Sequence, residues 1–266
     1  MKIASVQLKS ELGNKEKNFT KIKSFVTKIK KESPDTDLIL FPECAINGYE
    51  CPETFEDTAE TIDGGIYIEK MKLLAKENKV HIAFGFVERS YKLKNNKFFN
   101  SAALIDDEGK VVGVHRKTHL VRGFEMYAFN MGKEFEVFNT KLGKIAMMIC
   151  WESAFPEVAR QFAVRGADVI LVLEAVEKGI ENEWELILRA RAMDNTIHLI
   201  SANHVGKDRT LDFSGNSIFV SSLGEKVEAL SDKEGVLYGE IDFAKQKKDR
   251  EYFYMLNDRR PEIYKL

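Results

Sequence analysis

The opening of the chain sets the tightest constraint on its fold. Residues 2–8 alternate like a strand, residues 14–32 repeat Phe19, Ile22, Phe25, Val26 and Ile29 at helical spacing, and residues 37–41 form a short, nearly continuous apolar strand. A strand, an amphipathic helix and a second buried strand make a β-α-β unit, in which the helix covers one face of a sheet. The lysines within residues 15–31 are then the wet face of that helix.

The pattern continues. A helix is expected over residues 66–78 and a strand over 80–87, and strand 98–105 pairs with 111–115 across the Asp106-Asp107-Glu108-Gly109-Lys110 turn. Strands 135–140 and 145–150 flank a turn at Gly143; Pro156 opens a helix that stops near Gly166. Strand 168–173, helix 182–194, strand 197–202, two short strands at 217–221 and 226–230, and strand 236–241 complete the series. Strands outnumber helices, so helices must cover sheets whose other faces also need burying. Two mixed sheets packed face to face with helices outside satisfy this: an α/β, four-layer α-β-β-α sandwich formed as one domain over residues 1–266. The tail at 251–266 carries Tyr252, Phe253, Tyr254 and Tyr264 among charges and reads as an arm packed on a neighbouring subunit.

Charge excludes two classes of partner. Lys+Arg 40 against Asp+Glu 42 leave a net charge of -2, which gives no global attraction to nucleic acid or to an anionic membrane surface. The first apolar run is broken by Gln7 and Lys9, and no run approaches bilayer length. Three cysteines do not make a disulfide framework, so a reducing, cytoplasmic setting is expected.

Four places set a reactive side chain at a strand end or loop: Glu43 after Phe41-Pro42, Lys117 after His115-Arg116, Glu125 after Gly123-Phe124, and Cys150 before Trp151. A partly desolvated carboxylate at a strand rim serves as a base near neutral pH. A pocketed lysine stabilises a developing oxyanion, and a cysteine before a helix is favoured as thiolate by the helix's positive end. Each also has a bland reading, since charges at strand ends are common and a buried cysteine is usually a small hydrophobe. Cys44 and Cys51 are read as packing residues. His115 and His119 lack the glutamate of a zinc motif, so no metal is expected.

Taken together, these blocks resemble the nitrilase superfamily of carbon-nitrogen hydrolases. The resemblance runs through KIASVQL, DLILFPE with Asn47 to Tyr49, FNSAALID, RKTHL, Glu125 with Phe129 and Gly132, CWESAFPE, RARAMDN and SANHVG, nearly the whole chain. It implies a catalytic triad of Glu43, Lys117 and Cys150 that hydrolyses a small amide through a cysteine thioester, releasing ammonia or an amine. Lys117 and the Trp151 N–H would hold the oxyanion, and Glu125 would position Lys117 or the substrate. His119, Arg191 and Asn195 fall in family motifs as residues that hold loops. No cofactor is implied, and homodimers or larger homo-oligomers are. Tyr49, Trp151 and Phe155 are expected as pocket walls. Glu174 either meets a cationic substrate group or is a solvated loop carboxylate, the latter being favoured. Relatives that bind a substrate carboxylate carry an arginine where this chain has Ala154, so an N-carbamoyl α-amino acid is not the expected substrate. A nitrilase or carbamoyl amidase with the same triad, a papain-like enzyme pairing Cys150 with a histidine, and a non-catalytic binding relative are the competing readings.

Overall fold

In a computed structural model, which describes residues 1–90 and 98–264, the opening unit forms as its pattern dictates. Strand β1 (Lys2–Gln7) runs parallel to β2 (Leu38–Leu40), and helix α1 (Lys15–Glu32) connects them. Asn14 caps α1 by accepting from the Lys17 N–H at 3.1 Å. After α2 (Phe55–Thr58) and α3 (Ile66–Asn78), β3 (His81–Glu88) adds parallel to β2, then β4 (Phe99–Ile105) and β5 (Val111–Arg116) add antiparallel.

The second half builds the other sheet. Helix α4 (Phe124–Ala128) leads to β6 (Phe138–Thr140) and β7 (Gly143–Ile149), which is parallel to β8 (Val169–Leu173) and, through it, to β9 (His198–Ala202). Helices α5 (Pro156–Val164) and α6 (Glu181–Asn195) make the crossovers. A separate hairpin, β10 (Val205–Lys207) with β11 (Asp212–Ser214), precedes β12 (Ile218–Val220), β13 (Lys226–Ala229) and β14 (Gly235–Glu240). The two six-stranded sheets have the orders β14-β1-β2-β3-β4-β5 and β13-β12-β9-β8-β7-β6.

Period-two alternation separates the layers. Ile3, Leu38, Leu40 and Leu104 pack inward with β7, β8 and β9. Their neighbours Ala4, Val6, Ile39 and Ile105 pack outward under Ile22, Val26 and Ile29 of α1 and Ile68 and Met71 of α3. Val158 and Phe162 of α5 and Leu188 of α6 cover the second sheet. The result is the α-β-β-α sandwich of two mixed sheets.

Some boundaries differ from the sequence reading. Strand 145–150 ends at Ile149, and Cys150 opens a 3-10 turn, Cys150–Ala154, so α5 starts only at Pro156. The chain after β14 forms α7 (Phe243–Tyr252), which takes the first two residues of the expected arm. Helix α7 has almost no apolar stripe and is seated by Gln246, which donates to Asp168 O and accepts from His198 N, both at 2.8 Å. Beyond it lie the 3-10 turns Tyr254–Leu256 and Pro261–Ile263, and residues 265–266 of the arm fall outside the described residues.

Candidate active site

The site forms where the chain leaves β2, β5 and β7. Beyond β2, the segment Pro42-Glu43-Cys44 lies directly on β3, where Gly85 donates to Pro42 O at 3.0 Å. A Cβ at Gly85 would stand 2.3 Å from Cys44 N and 2.6 Å from Glu43 Cα, so only glycine permits this approach. Lys117 is fixed just past β5, donating to Asn100 O and accepting from the Gly132 N–H. Glu125 comes from the first turn of α4. All three side chains are buried.

Lys117 Nζ donates to Glu43 Oε1 and to Glu125 Oε1, each at 2.7 Å. Asn100 Nδ2 bridges the same oxygens at 2.5 and 3.2 Å, Tyr49 Oη donates to Glu125 Oε1 at 2.9 Å, and the Val121 N–H reaches Glu125 Oε2 at 2.7 Å. Glu43 Oε2 is buried and has no hydrogen-bond partner among the described residues. Burial, together with the Glu125 charge, outweighs Lys117 and Asn100 and raises the Glu43 carboxyl to about 7. Burial disfavours the Lys117 ammonium, but Glu125 and Glu43 more than offset it and hold its pKa well above the usual lysine value. An ammonium has three N–H donors, and among the described residues only two are taken.

Cys150 adopts φ 42°, a left-handed backbone conformation that strains any residue with a Cβ. Burial pushes its thiol pKa well up, and the Glu43 charge adds to this against the Lys117 charge and the Ala175 N–H. The expectation of a thiolate favoured by the following helix is therefore corrected. A 3-10 turn separates Cys150 from α5, and desolvation dominates.

A cleft of about 530 Å³ opens over this cluster, and its walls include Cys150, Glu125, Tyr49, Phe124, Trp151 and Trp184. The rings of Trp151 and Trp184 are nearly parallel, 12° apart with centroids 6.3 Å apart. Arg122, Lys178, Glu50 and Glu177 add both signs of charge. Phe155 does not line the cleft: its ring stacks on His119 at 4.1 Å and packs against the core. Glu174 is also outside the cleft and is not solvated. It is buried behind Trp184, whose Nε1 donates to Glu174 Oε1 at 2.6 Å, and burial raises its carboxyl to about 7.

The remaining motif residues hold the backbone. Arg191 Nε donates to Ser153 O at 2.9 Å, and Asn195 Nδ2 donates to Arg191 O at 2.8 Å. Cys44 and Cys51 are buried, their thiols directed at Asn100 Oδ1 and Asn47 O. His115 lies 2.9 Å from Glu152, and among the described residues no group of three or more His, Cys, Asp or Glu is arranged to hold a metal. Two residues of the site escape a strand-end search. Asn100 shows only as an asparagine inside the apolar strand FNSAALI, and Glu152 only as a charge in a segment that packing must bury.

The carbon-nitrogen hydrolase family matches residues 2–251. The chain is 39% identical over 265 residues to a probable nitrilase of Schizosaccharomyces pombe, covering 99% of this chain and 97% of that protein. It is 32% identical over 284 residues to a citrullinase of Francisella tularensis, covering 99% and 96%. A carbon-nitrogen hydrolase of Helicobacter pylori has the same fold, with a TM-score of 0.89 at 28% identity over 99% of this chain and 96% of that one. The chain therefore belongs to the carbon-nitrogen hydrolase family of the nitrilase superfamily.

Proposed function

We propose that this protein hydrolyses the carbon-nitrogen bond of a small amide through a thioester on Cys150. The observation that carries the reading is a buried carboxylate oxygen, Glu43 Oε2, that has no partner among the described residues, in a cluster where two of the three lysine donors are taken by them. A protonated thiol needs a base, and a carboxylate raised to about 7 is matched to that task at neutral pH.

Glu43 takes the Cys150 proton as the sulfur attacks the amide carbon. The tetrahedral oxyanion is held by the third N–H of Lys117 and by the Trp151 N–H. Glu43 passes its proton to the leaving nitrogen, ammonia or an amine departs, and the thioester remains. Water then attacks the thioester, giving its proton to Glu43, and the carboxylic acid leaves as Cys150 recovers its thiol. Glu125 holds Lys117 between two carboxylates. Tyr49 and Trp151 form the walls that hold the acyl group. With Ala154 where relatives that bind a substrate carboxylate carry an arginine, the preferred substrate is not an N-carbamoyl α-amino acid.

A second reading has its own support in the likeness to a citrullinase: the scissile bond belongs to a ureido group, with the same residues in the same roles. The exposed aromatic side chains of the tail, Tyr252, Tyr254 and Tyr264, support a homo-oligomer in which the arm packs on a neighbouring subunit. The three free cysteines, all buried as thiols, support a cytoplasmic location.

The test is ammonia release from acetamide, propionamide, benzamide, citrulline, N-carbamoylalanine and benzonitrile by the wild type and by Cys150→Ala. Release from the neutral amides that disappears in the variant is the expected result. Preference for citrulline selects the ureido reading, for benzonitrile a nitrilase, and for N-carbamoylalanine overturns the inference from Ala154. Release that survives in Cys150→Ala, or none from any substrate by the wild type, overturns the proposal.

A further inference from the structure

Glu152, two residues beyond the cysteine, is as deeply buried as the Lys117 cluster and has no place in the reaction just described. Its oxygens accept from the Ile149 N–H at 2.7 Å, the Thr118 N–H at 2.7 Å, the Thr118 hydroxyl at 2.6 Å and His115 Nε2 at 2.9 and 3.0 Å. These donors are not scattered. Ile149 is the last residue of β7 and immediately precedes Cys150, whereas Thr118 immediately follows Lys117 just past the end of β5. Strands β5 and β7 belong to different sheets. One carboxylate thus ties the two sheets together at the two points where the lysine and the cysteine leave their strands.

We propose that Glu152 is the positioning residue that sets the cysteine-bearing turn against the lysine-bearing strand end and holds Cys150 in its strained backbone conformation. The claim rests on the reading of Cys150 and Lys117 given above. A left-handed non-glycine residue persists only where its surroundings over-determine it, and the bond from Ile149 N–H to Glu152 fixes the Met148–Ile149 peptide, one peptide before the one that enters Cys150. An ionised carboxylate suits this place because every neighbour is a donor. A glutamine would bring its own N–H against the Ile149 or Thr118 N–H. Burial alone would raise the Glu152 carboxyl, but His115 and Thr118 outweigh it and hold the group below its ordinary value, so it is ionised at neutral pH.

The experiment compares wild type, Glu152→Gln and Thr118→Val, measuring kcat and KM on whichever neutral amide of the panel the wild type turns over fastest. Active sites are counted by iodoacetamide labelling of Cys150, and the pH profile of kcat/KM is recorded. Displacing a reacting group by an ångström costs on the order of a hundredfold, so Glu152→Gln is expected to lower kcat per active site by about that factor, with KM within about threefold. The acid limb of the profile stays at its wild-type position, because Glu43 is untouched. Thr118→Val, which removes one of the bonds, is expected to lower kcat by about tenfold on the same reasoning. A folded Glu152→Gln enzyme with wild-type kcat per active site and only a lower melting temperature overturns the proposal. If Glu152→Gln does not fold, Thr118→Val decides, and an unchanged kcat in that variant overturns it. If the wild type turns over no amide, the reaction proposed above fails by itself. The Glu152 claim is then read from the iodoacetamide alkylation rate of Cys150, expected to fall in the variants and contradicted by equal rates.

Discussion

Glu43 and Glu152 are both carboxylates sealed from solvent within the same sandwich, yet their surroundings push them in opposite directions. Glu43 shares one ammonium with a second carboxylate, has one oxygen without a partner among the described residues and is raised to about 7. Glu152 is surrounded by donors and lies below its ordinary value. Burial is therefore common to both, and what faces the carboxylate decides protonation: the Glu125 charge beside Glu43, His115 and Thr118 around Glu152. In the proposed reaction the satisfied carboxylate holds geometry and the under-satisfied one exchanges the proton.

The largest expected effect comes from removing what the unsatisfied cluster is built around. Lys117→Met leaves Glu43 and Glu125 facing each other in the interior, and breaking such a buried pair costs about 3–5 kcal/mol. Chemical denaturation at pH 8 measures this, and a variant as stable as wild type would show that the lysine does not hold the carboxylates together. Glu43→Gln is next: kcat/KM is expected to fall by roughly 10²–10⁴-fold with the loss of the base. In the wild type, kcat/KM is expected to rise with pH through about 7 as the Glu43 cluster loses its proton, and that limb is expected to be absent from whatever activity the variant retains.

Stability breaks the comparison from the other side, because the two carboxylates predict opposite signs. The Glu43 carboxyl is raised from 4.5 to about 7 by folding. Between those values the unfolded chain releases a proton that the folded chain keeps, so stability falls as pH rises through this window and the full cost is present above it. Glu43→Gln removes that cost, and the variant is expected to be more stable than wild type at pH 8 by roughly 1–3 kcal/mol, with the difference shrinking below pH 5. Glu152 is lowered by folding, so its contribution is present above the unfolded value and is lost as pH falls through the folded one. Glu152→Gln is accordingly less stable than wild type at pH 8, with the gap closing in acid. Urea midpoints at pH 5 and pH 8 read both, and equal signs would remove the distinction. The smallest effect belongs to Glu174→Gln, whose amide oxygen still accepts from Trp184. We expect kcat/KM within about threefold of wild type, with the order of cationic and neutral substrates unchanged, and a reversed order would place Glu174 in contact with substrate.

What the sequence made legible follows the range of the interactions involved. Local patterns located α1, α3 and the central strands, and alternation along β1 and β2 separated the inner from the outer core. Glu43, Lys117 and Cys150 stood out because each is a reactive side chain at the end of an apolar run. Asn100 and Glu152 did not, because one sits inside an apolar strand and the other inside a buried turn, and only contacts made in the fold give them a role: Asn100 meets Glu43 across 57 positions, and Glu152 meets Thr118 across 34. Glu174 read as solvated because nothing nearby shows that Trp184 folds over it. Helix α7 is seated by polar side chains, Gln246 and Arg250, with almost no apolar stripe to betray it.

The central claim is tested most directly by rapid mixing of the enzyme with its fastest neutral amide, acid quench within the first turnovers, and intact-mass analysis of wild type and Cys150→Ala. The account predicts a transient mass increase equal to the acyl group, located on the peptide containing Cys150, together with ammonia release, and neither in the variant. Ammonia release by Cys150→Ala, or turnover by the wild type with the acyl mass on another residue, would contradict it.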